Sequence, residues 1–181
     1  MSATPSDVAM LREEMPRGVA DKEGGLPNPM RFLMYVPVPW VFVLNYFAGG
    51  ALQLKWPINI SPNAAGISTI AGGTLFAAGA VIAGWALVIF RKNRTTTVPG
   101  KSSAKLVTWG PYRFTRNPMY VGLTCAYLGE AGLLKQIWPV LVLPLTIAYL
   151  NWTVVPVEEG RLRGDFHEQY DQYRIRVRRW I

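Results

Sequence analysis

Two adjacent carboxylates, Glu158 and Glu159, stand where an apolar run ends, and two arginines, Arg113 and Arg116, stand just ahead of Asn117-Pro118, where another apolar run begins. A carboxylate in that setting can accept an ammonium or a proton. An arginine beside the start of a helix can hold an anionic group, because the guanidinium and the positive end of the helix dipole act together. Tyrosines interleaved with these charges, Tyr112, Tyr120, Tyr170 and Tyr173, add hydroxyls and aromatic faces that attract cations. Composition closes off other chemistries. Cys125 is the only cysteine and His167 the only histidine. An intramolecular disulfide and a multi-cysteine metal site are therefore excluded, a histidine-based triad would rest on one residue, and no metal is expected.

Such residues need elements to position them. Of the 181 residues, 50% are hydrophobic and 17% charged; the length suggests one domain, and the apolar residues gather into four blocks separated by basic segments, which points to a bilayer. The expected fold is all-α and polytopic, with transmembrane helices over 32–54, 66–90, 117–134 and 137–157. The first two blocks are long enough to cross about 30 Å of hydrocarbon, and the last two form a tight hairpin across Lys135 and Gln136. Residues 1–31 read as a polar arm ahead of a single membrane domain, 32–181. The first apolar block begins only at Phe32 and is long, so it reads as an anchor and not as a cleaved signal. Gly72, Gly73, Ala77, Ala80 and Gly84 form a small-residue stripe that lets another helix come close. Glu130, a carboxylate inside an apolar block, is either functional or a rim residue within reach of Lys135.

Charge placement orients the bundle. From Arg91 to Pro118 the chain carries Arg91, Lys92, Arg94, Lys101, Lys105, Arg113 and Arg116 and no acidic residue. Positive segments stay cytoplasmic, which places this loop and both termini inside. Arg161, Arg163, Arg174, Arg176, Arg178 and Arg179 of the tail fall on the same side. The net charge of +8 is thus explained by topology and contact with anionic membrane lipids, and nucleic acid is not an expected partner. Beyond Val157, the residues Glu159, Leu162, Phe166, Tyr170, Tyr173, Val177 and Trp180 recur at spacings that make one face of an amphipathic helix over 158–180, with Arg161, Arg163, Glu168, Asp171 and Arg178 opposite. Gly160 and Gly164 would allow another backbone or a cofactor to come close.

The ordered pair of stretches Gly110-Pro-Tyr112-Arg-x-x-Arg116-Asn-Pro-x-Tyr120-x-Gly122 and Glu158-Glu159-x-x-Leu162-x-x-x-Phe166-x-x-x-Tyr170-x-x-Tyr173-x-x-x-Val177 resembles the integral-membrane methyltransferases, a superfamily that includes isoprenylcysteine carboxyl methyltransferases and phospholipid N-methyltransferases. The likeness covers residues 100 to 180. It implies a pocket for S-adenosylmethionine open to the cytoplasm, with Lys105, Leu106 and Val107 on the adenosine side and Tyr112, Arg116, Asn117, Pro118 and Tyr120 around the cofactor. It also implies that Glu158 holds the methionine ammonium. Glu159 and Tyr120 are the candidates for moving a proton from a lipid-like methyl acceptor, and Val154, Tyr170 and Tyr173 for the acceptor side. Three positions depart from the family pattern. Asn117 stands where many members have histidine, His167 where a glycine usually follows the phenylalanine, and Val154 where isoprenylcysteine enzymes place an arginine, which argues for an acceptor other than a prenylcysteine carboxylate. His167 is either a base near the acceptor or a surface histidine. The rival reading is an accessory subunit of a larger membrane complex that keeps the fold without the activity.

Overall fold

The computed structural model describes residues 37–92 and 105–181. The polar arm 1–31, the first residues of block one and part of the basic loop lie outside the described residues. The first helix, α1, runs Val38–Lys55, with Pro37 at its N-cap and Pro39 in its first turn, where a missing backbone N–H costs nothing. The second, α2, runs Pro62–Lys92, about one turn longer at its start than the sequence indicates. A 3₁₀ turn at Gly110–Arg113 leads to α3, Pro118–Leu133. Then follow α4, Trp138–Tyr149, a π-helical segment Leu150–Val154, and α5, Val155–Arg176. Among the described residues there is no strand.

Among the described residues, two helices are long and apolar enough to cross a membrane: α2, and the continuous helix Trp138–Arg176 made of α4, the π segment and α5. The latter has 39 residues, about 58 Å at 1.5 Å per residue, so only its apolar part, which ends at Val157, matches the hydrocarbon. The sequence reading separated a span ending at 157 from an amphipathic helix starting at 158; instead the helix runs through that point. Its irregularities lie elsewhere, in the π segment and at His167, whose φ of 45° and ψ of −119° break the helical path. Pro156, which cannot donate a backbone hydrogen bond, explains why the ladder is widened just before it. The helix ends at Arg176, so Val177 and Trp180, counted on its apolar face from the sequence, belong to an extended tail.

Packing is dominated by two antiparallel pairs, α2 with α3 and α1 with α4. Where α2 meets α3, glycine faces backbone. A Cβ on Gly72 would lie 2.6 Å from Leu133 N, one on Gly122 2.6 Å from Ala83 N, and Gly79 and Gly129 are tighter still, against Ala126 and Phe76. Close approach of this kind replaces the hydrophobic drive that lipid-embedded helices lack. The contact face is therefore Gly72, Gly79, Ala83 and Ala86, whereas Ala77, Ala80 and Gly84 of the expected stripe are exposed. In the other pair Gly49 admits Pro139, Asn45 Nδ2 donates to Val142 O at 3.2 Å, and Gln53 Oε1 accepts from the backbone N–H groups of Ile137 and Trp138, capping α4 from α1. The expected tight hairpin of blocks three and four is a short connection with slight mutual packing, since each helix has its main partner elsewhere. Tyr127 Oη, within hydrogen-bond distance of Asn45 Oδ1 (2.7 Å) and Pro139 O (2.9 Å), ties the pairs together. Phe47, Ile67, Ile70, Val81, Leu145 and Trp152 stand exposed on the outside, as lipid-facing side chains do.

Candidate functional site

The two chemistry-bearing stretches meet at one end of the bundle. Gly110, with φ of 64°, turns the chain where a left-handed backbone favours glycine, and it sits against Ile89 of α2. That turn buries Tyr112 among Ala86, Ile89 and Val107, stacked on Phe90. Burial, with Tyr173 and Glu158 nearby, pushes the Tyr112 phenol up, so it stays a neutral hydroxyl. Pro118 opens α3 as the sequence indicates and Asn117 occupies the N-cap, but its side chain makes no cap bond. Nδ2 of Asn117 donates instead to Arg179 O at 3.0 Å, and the Thr115 hydroxyl accepts from Asn117 N at 3.2 Å.

In the first turn of α3, Tyr120 Oη donates to Glu158 Oε1 at 2.6 Å, a short hydroxyl–carboxyl bond. Burial raises the Glu158 carboxyl above its ordinary range, and the Tyr120 hydrogen bond opposes that shift in part. Glu159 points to a different set of partners. Arg179 grips it through Nε to Oε1 at 3.0 Å and Nη2 to Oε2 at 2.7 Å, and Arg116 Nη2 lies 3.2 Å from Oε1. Nε and Nη1 of Arg116 are buried without a hydrogen bond of proper geometry, as are the Tyr112 and Tyr170 hydroxyls. Buried donors without acceptors are rare, and each asks for an explanation.

The tail closes the site. Arg116 N donates to Arg178 O at 3.0 Å and the Thr115 hydroxyl to Arg179 O at 3.0 Å, while Trp180 Nε1 and Arg179 Nη1 both reach Asn151 Oδ1 in the π segment. Tyr173 Oη donates to Tyr112 O at 2.7 Å, and Tyr170, Tyr173 and Val177 pack with Leu106, Leu162 and Phe166.

Tyr112, Arg116, Asn117, Pro118, Tyr120, Glu158 and Glu159 thus come together, with Leu106 and Val107 packed beside them. Lys105 lies exposed at the edge of the described stretch. Val154 sits apart from Tyr170 and Tyr173, against the core of Phe42, Tyr120, Tyr127 and Leu150, so the three acceptor-side candidates do not share one cluster. Gly160 and Gly164 have no protein atom near a would-be side chain, and His167 is exposed. Glu130 is half-buried, close enough to Tyr46 and Tyr127 to interact electrostatically. Sequence reasoning counted Arg179 only as a topogenic charge and passed over Asn151, Thr115 and the side chain of Trp180 as polar partners. Their sole signal was proximity to the motif's ends.

Between α3, α4 and the tail, a groove of about 610 Å³ opens on the apolar outside; Leu128, Leu143, Pro144 and Ile147 line it, and Asn151 and Trp180 stand at its end toward the charged cluster. Residues 67–169, more than half of the chain, match the phospholipid methyltransferase family model. No curated protein and no solved structure matches the chain.

Proposed function

Because the chain belongs to the phospholipid methyltransferase family, we propose that it is an integral-membrane methyltransferase acting on a lipid-like or apolar acceptor with S-adenosylmethionine as methyl donor. One observation carries the reading. The Tyr120-bonded Glu158 and an arginine with two buried N–H groups in no well-formed hydrogen bond, Arg116, stand in the same cluster. An amino acid moiety bears an ammonium and a carboxylate on one carbon, and these two side chains are receptors for the two groups.

In this reading Glu158 takes the ammonium and Arg116, beside Asn117-Pro118, the carboxylate. Tyr112 and Tyr120 surround the sulfonium, and Lys105, Leu106 and Val107 border the adenosine. When bound, the cofactor supplies a methyl group on a positively charged sulfur, ready for in-line displacement. The chain's contribution is placement and exclusion of water. Tyr120 fixes the Glu158 carboxylate, and the tail seals the cluster against the 105–117 stretch. A carboxylate acceptor needs no base. An amine acceptor must lose a proton, and Glu159 can take it only where one of its oxygens is released by Arg179 or Arg116, which together occupy both. Val154 offers the acceptor an apolar contact, with Tyr170 and Tyr173 on the far side of the cluster. Phospholipid amines, thiols, lipid acids and quinone-like molecules are all compatible acceptors.

Four crossings with both termini cytoplasmic fit the exposed apolar side chains on α1, α2 and α4, with α3 carrying no exposed residue among them, and in this reading the cluster lies at the cytoplasmic surface. An accessory-subunit role draws no support from Gly72, Gly79 and Ala83 of α2, which α3 covers, and retains only the exposed Ala77, Ala80 and Gly84 as a packing face. The test is transfer of label from methyl-labelled S-adenosylmethionine to total membrane lipid by the purified protein in liposomes. Label in the organic phase is expected; cofactor binding with no transfer to any lipid fraction would favour the non-catalytic role.

A further inference from the structure

Arg116, Glu159 and Arg179 stand in a row in which two guanidiniums share one carboxylate, so the group carries one positive charge in excess. Its inner members are well buried, with side chains 11% exposed at Arg116 and 15% at Glu159. An excess charge in such a place is costly unless something answers it. The donors in no well-formed hydrogen bond belong to Arg116, at Nε and Nη1, with the Tyr170 hydroxyl close enough to interact with that guanidinium. Arg179 is the outer member, and its fork matches the Glu159 carboxylate in the bidentate manner that most effectively occupies both oxygens.

We infer that Arg179 is a positioning residue for an anion subsite at Arg116: by neutralising Glu159 it leaves the Arg116 charge free for the carboxylate of the methyl donor. The inference rests on the methyl-donor reading above. Without Arg179, Glu159 has one cation left to pair with, and it would cancel the charge that the ligand's carboxylate needs. The backbone around Arg179 is fixed accordingly. The carbonyls of Arg178 and Arg179 accept from Arg116 N, the Thr115 hydroxyl and Asn117 Nδ2, each at 3.0 Å, and Trp180 Nε1 is anchored on Asn151 at 3.1 Å. These bonds tie the backbone of the residue that neutralises Glu159 to the stretch that carries Arg116, so both arginines start from one fixed frame.

The full-length protein in detergent, titrated calorimetrically with S-adenosylhomocysteine and with its decarboxylated analogue, tests this. Arg179→Ala is expected to weaken S-adenosylhomocysteine about tenfold or more, and to leave the analogue, which keeps the amine and lacks the carboxylate, within about threefold. Adding Glu159→Gln to Arg179→Ala should bring S-adenosylhomocysteine back to within about threefold of the unmodified protein, because the competing charge is gone. Equal weakening of both ligands, or no rescue by the second substitution, would reduce Arg179 to a structural strut and overturn the inference. Should Arg179→Ala fail to fold, Glu159→Gln alone decides: unchanged or tighter binding supports it, and a loss of about tenfold or more refutes it. Failure of the unmodified protein to bind either ligand would overturn the methyl-donor reading, and this inference with it.

Discussion

Glu158 faces opposite demands from folding and from binding. Burial raises its carboxyl, so the unliganded fold favours the neutral form; the stability tied to this group is present below the ordinary carboxylate pKa and lost as pH rises through the raised one. An ammonium ligand requires the charged form. Across the window between the ordinary and the raised value, affinity for S-adenosylhomocysteine should therefore climb with pH while the unliganded protein's thermal stability falls. Calorimetry and thermal unfolding over that range check both slopes, and parallel slopes would remove Glu158 from the ammonium role. His167 is a second residue whose environment and type disagree. Its backbone, at φ 45° and ψ −119°, lies where a side chain is strained and glycine is not, at a cost of order 1–3 kcal/mol. The family pattern has glycine there, and the departure was legible in the sequence, but its cause was not, because a positive φ leaves no trace in residue type once glycine is gone. His167→Gly should raise the unfolding midpoint; a lowered one would show that the imidazole itself holds something.

At the scale of elements, the α2–α3 crossing sets where the Asn117 end of α3 stands, and so where Tyr120 meets Glu158. Gly79→Leu should destabilise the protein by about 1–3 kcal/mol, since backbone on the facing helix cannot give way. Gly84→Leu, with nothing within 4 Å, should leave the unfolding transition in detergent unchanged. A similar loss at both positions would mean that leucine is tolerated nowhere on α2 and that the crossing is not special. The sequence showed that α2 carries small residues, but it favoured a stripe including Ala77, Ala80 and Gly84. Several small residues lay on each side of the helix, and only the partner's own glycines, Gly122 and Gly129, select the face. The start of α3 was legible from Asn117-Pro118. The continuity of Trp138–Arg176 was not, because the charged residues after Val157 imply a change of environment, and a helix can cross that change without breaking. Pro156 marked the irregular turns before it.

For the molecule as a whole, the proposed four-crossing arrangement predicts that a cysteine placed at exposed Asn63, in a Cys125-free background, is labelled from outside intact cells; labelling only after permeabilisation would invert the topology. In that proposed orientation the end of α2, the start of α3 and the middle of the long C-terminal helix carry the cluster at the cytoplasmic surface, and the apolar groove beside Trp180 opens toward the bilayer. The gathering could be anticipated from the sequence because both motif stretches flank the ends of apolar runs, which a membrane brings to one plane. The tail's part in it could not, since Arg179 differs from its neighbouring arginines only in where the last turns of chain carry it. The central claim is that Glu158 receives the ammonium of the methyl donor, and calorimetric titration of Glu158→Gln with S-adenosylhomocysteine tests it most directly. Removing one partner of such a charge-assisted bond costs about 2–5 kcal/mol, or roughly thirtyfold to several thousandfold in affinity. The account predicts a loss of that size in a protein that stays folded in detergent, and affinity retained within about threefold would contradict it.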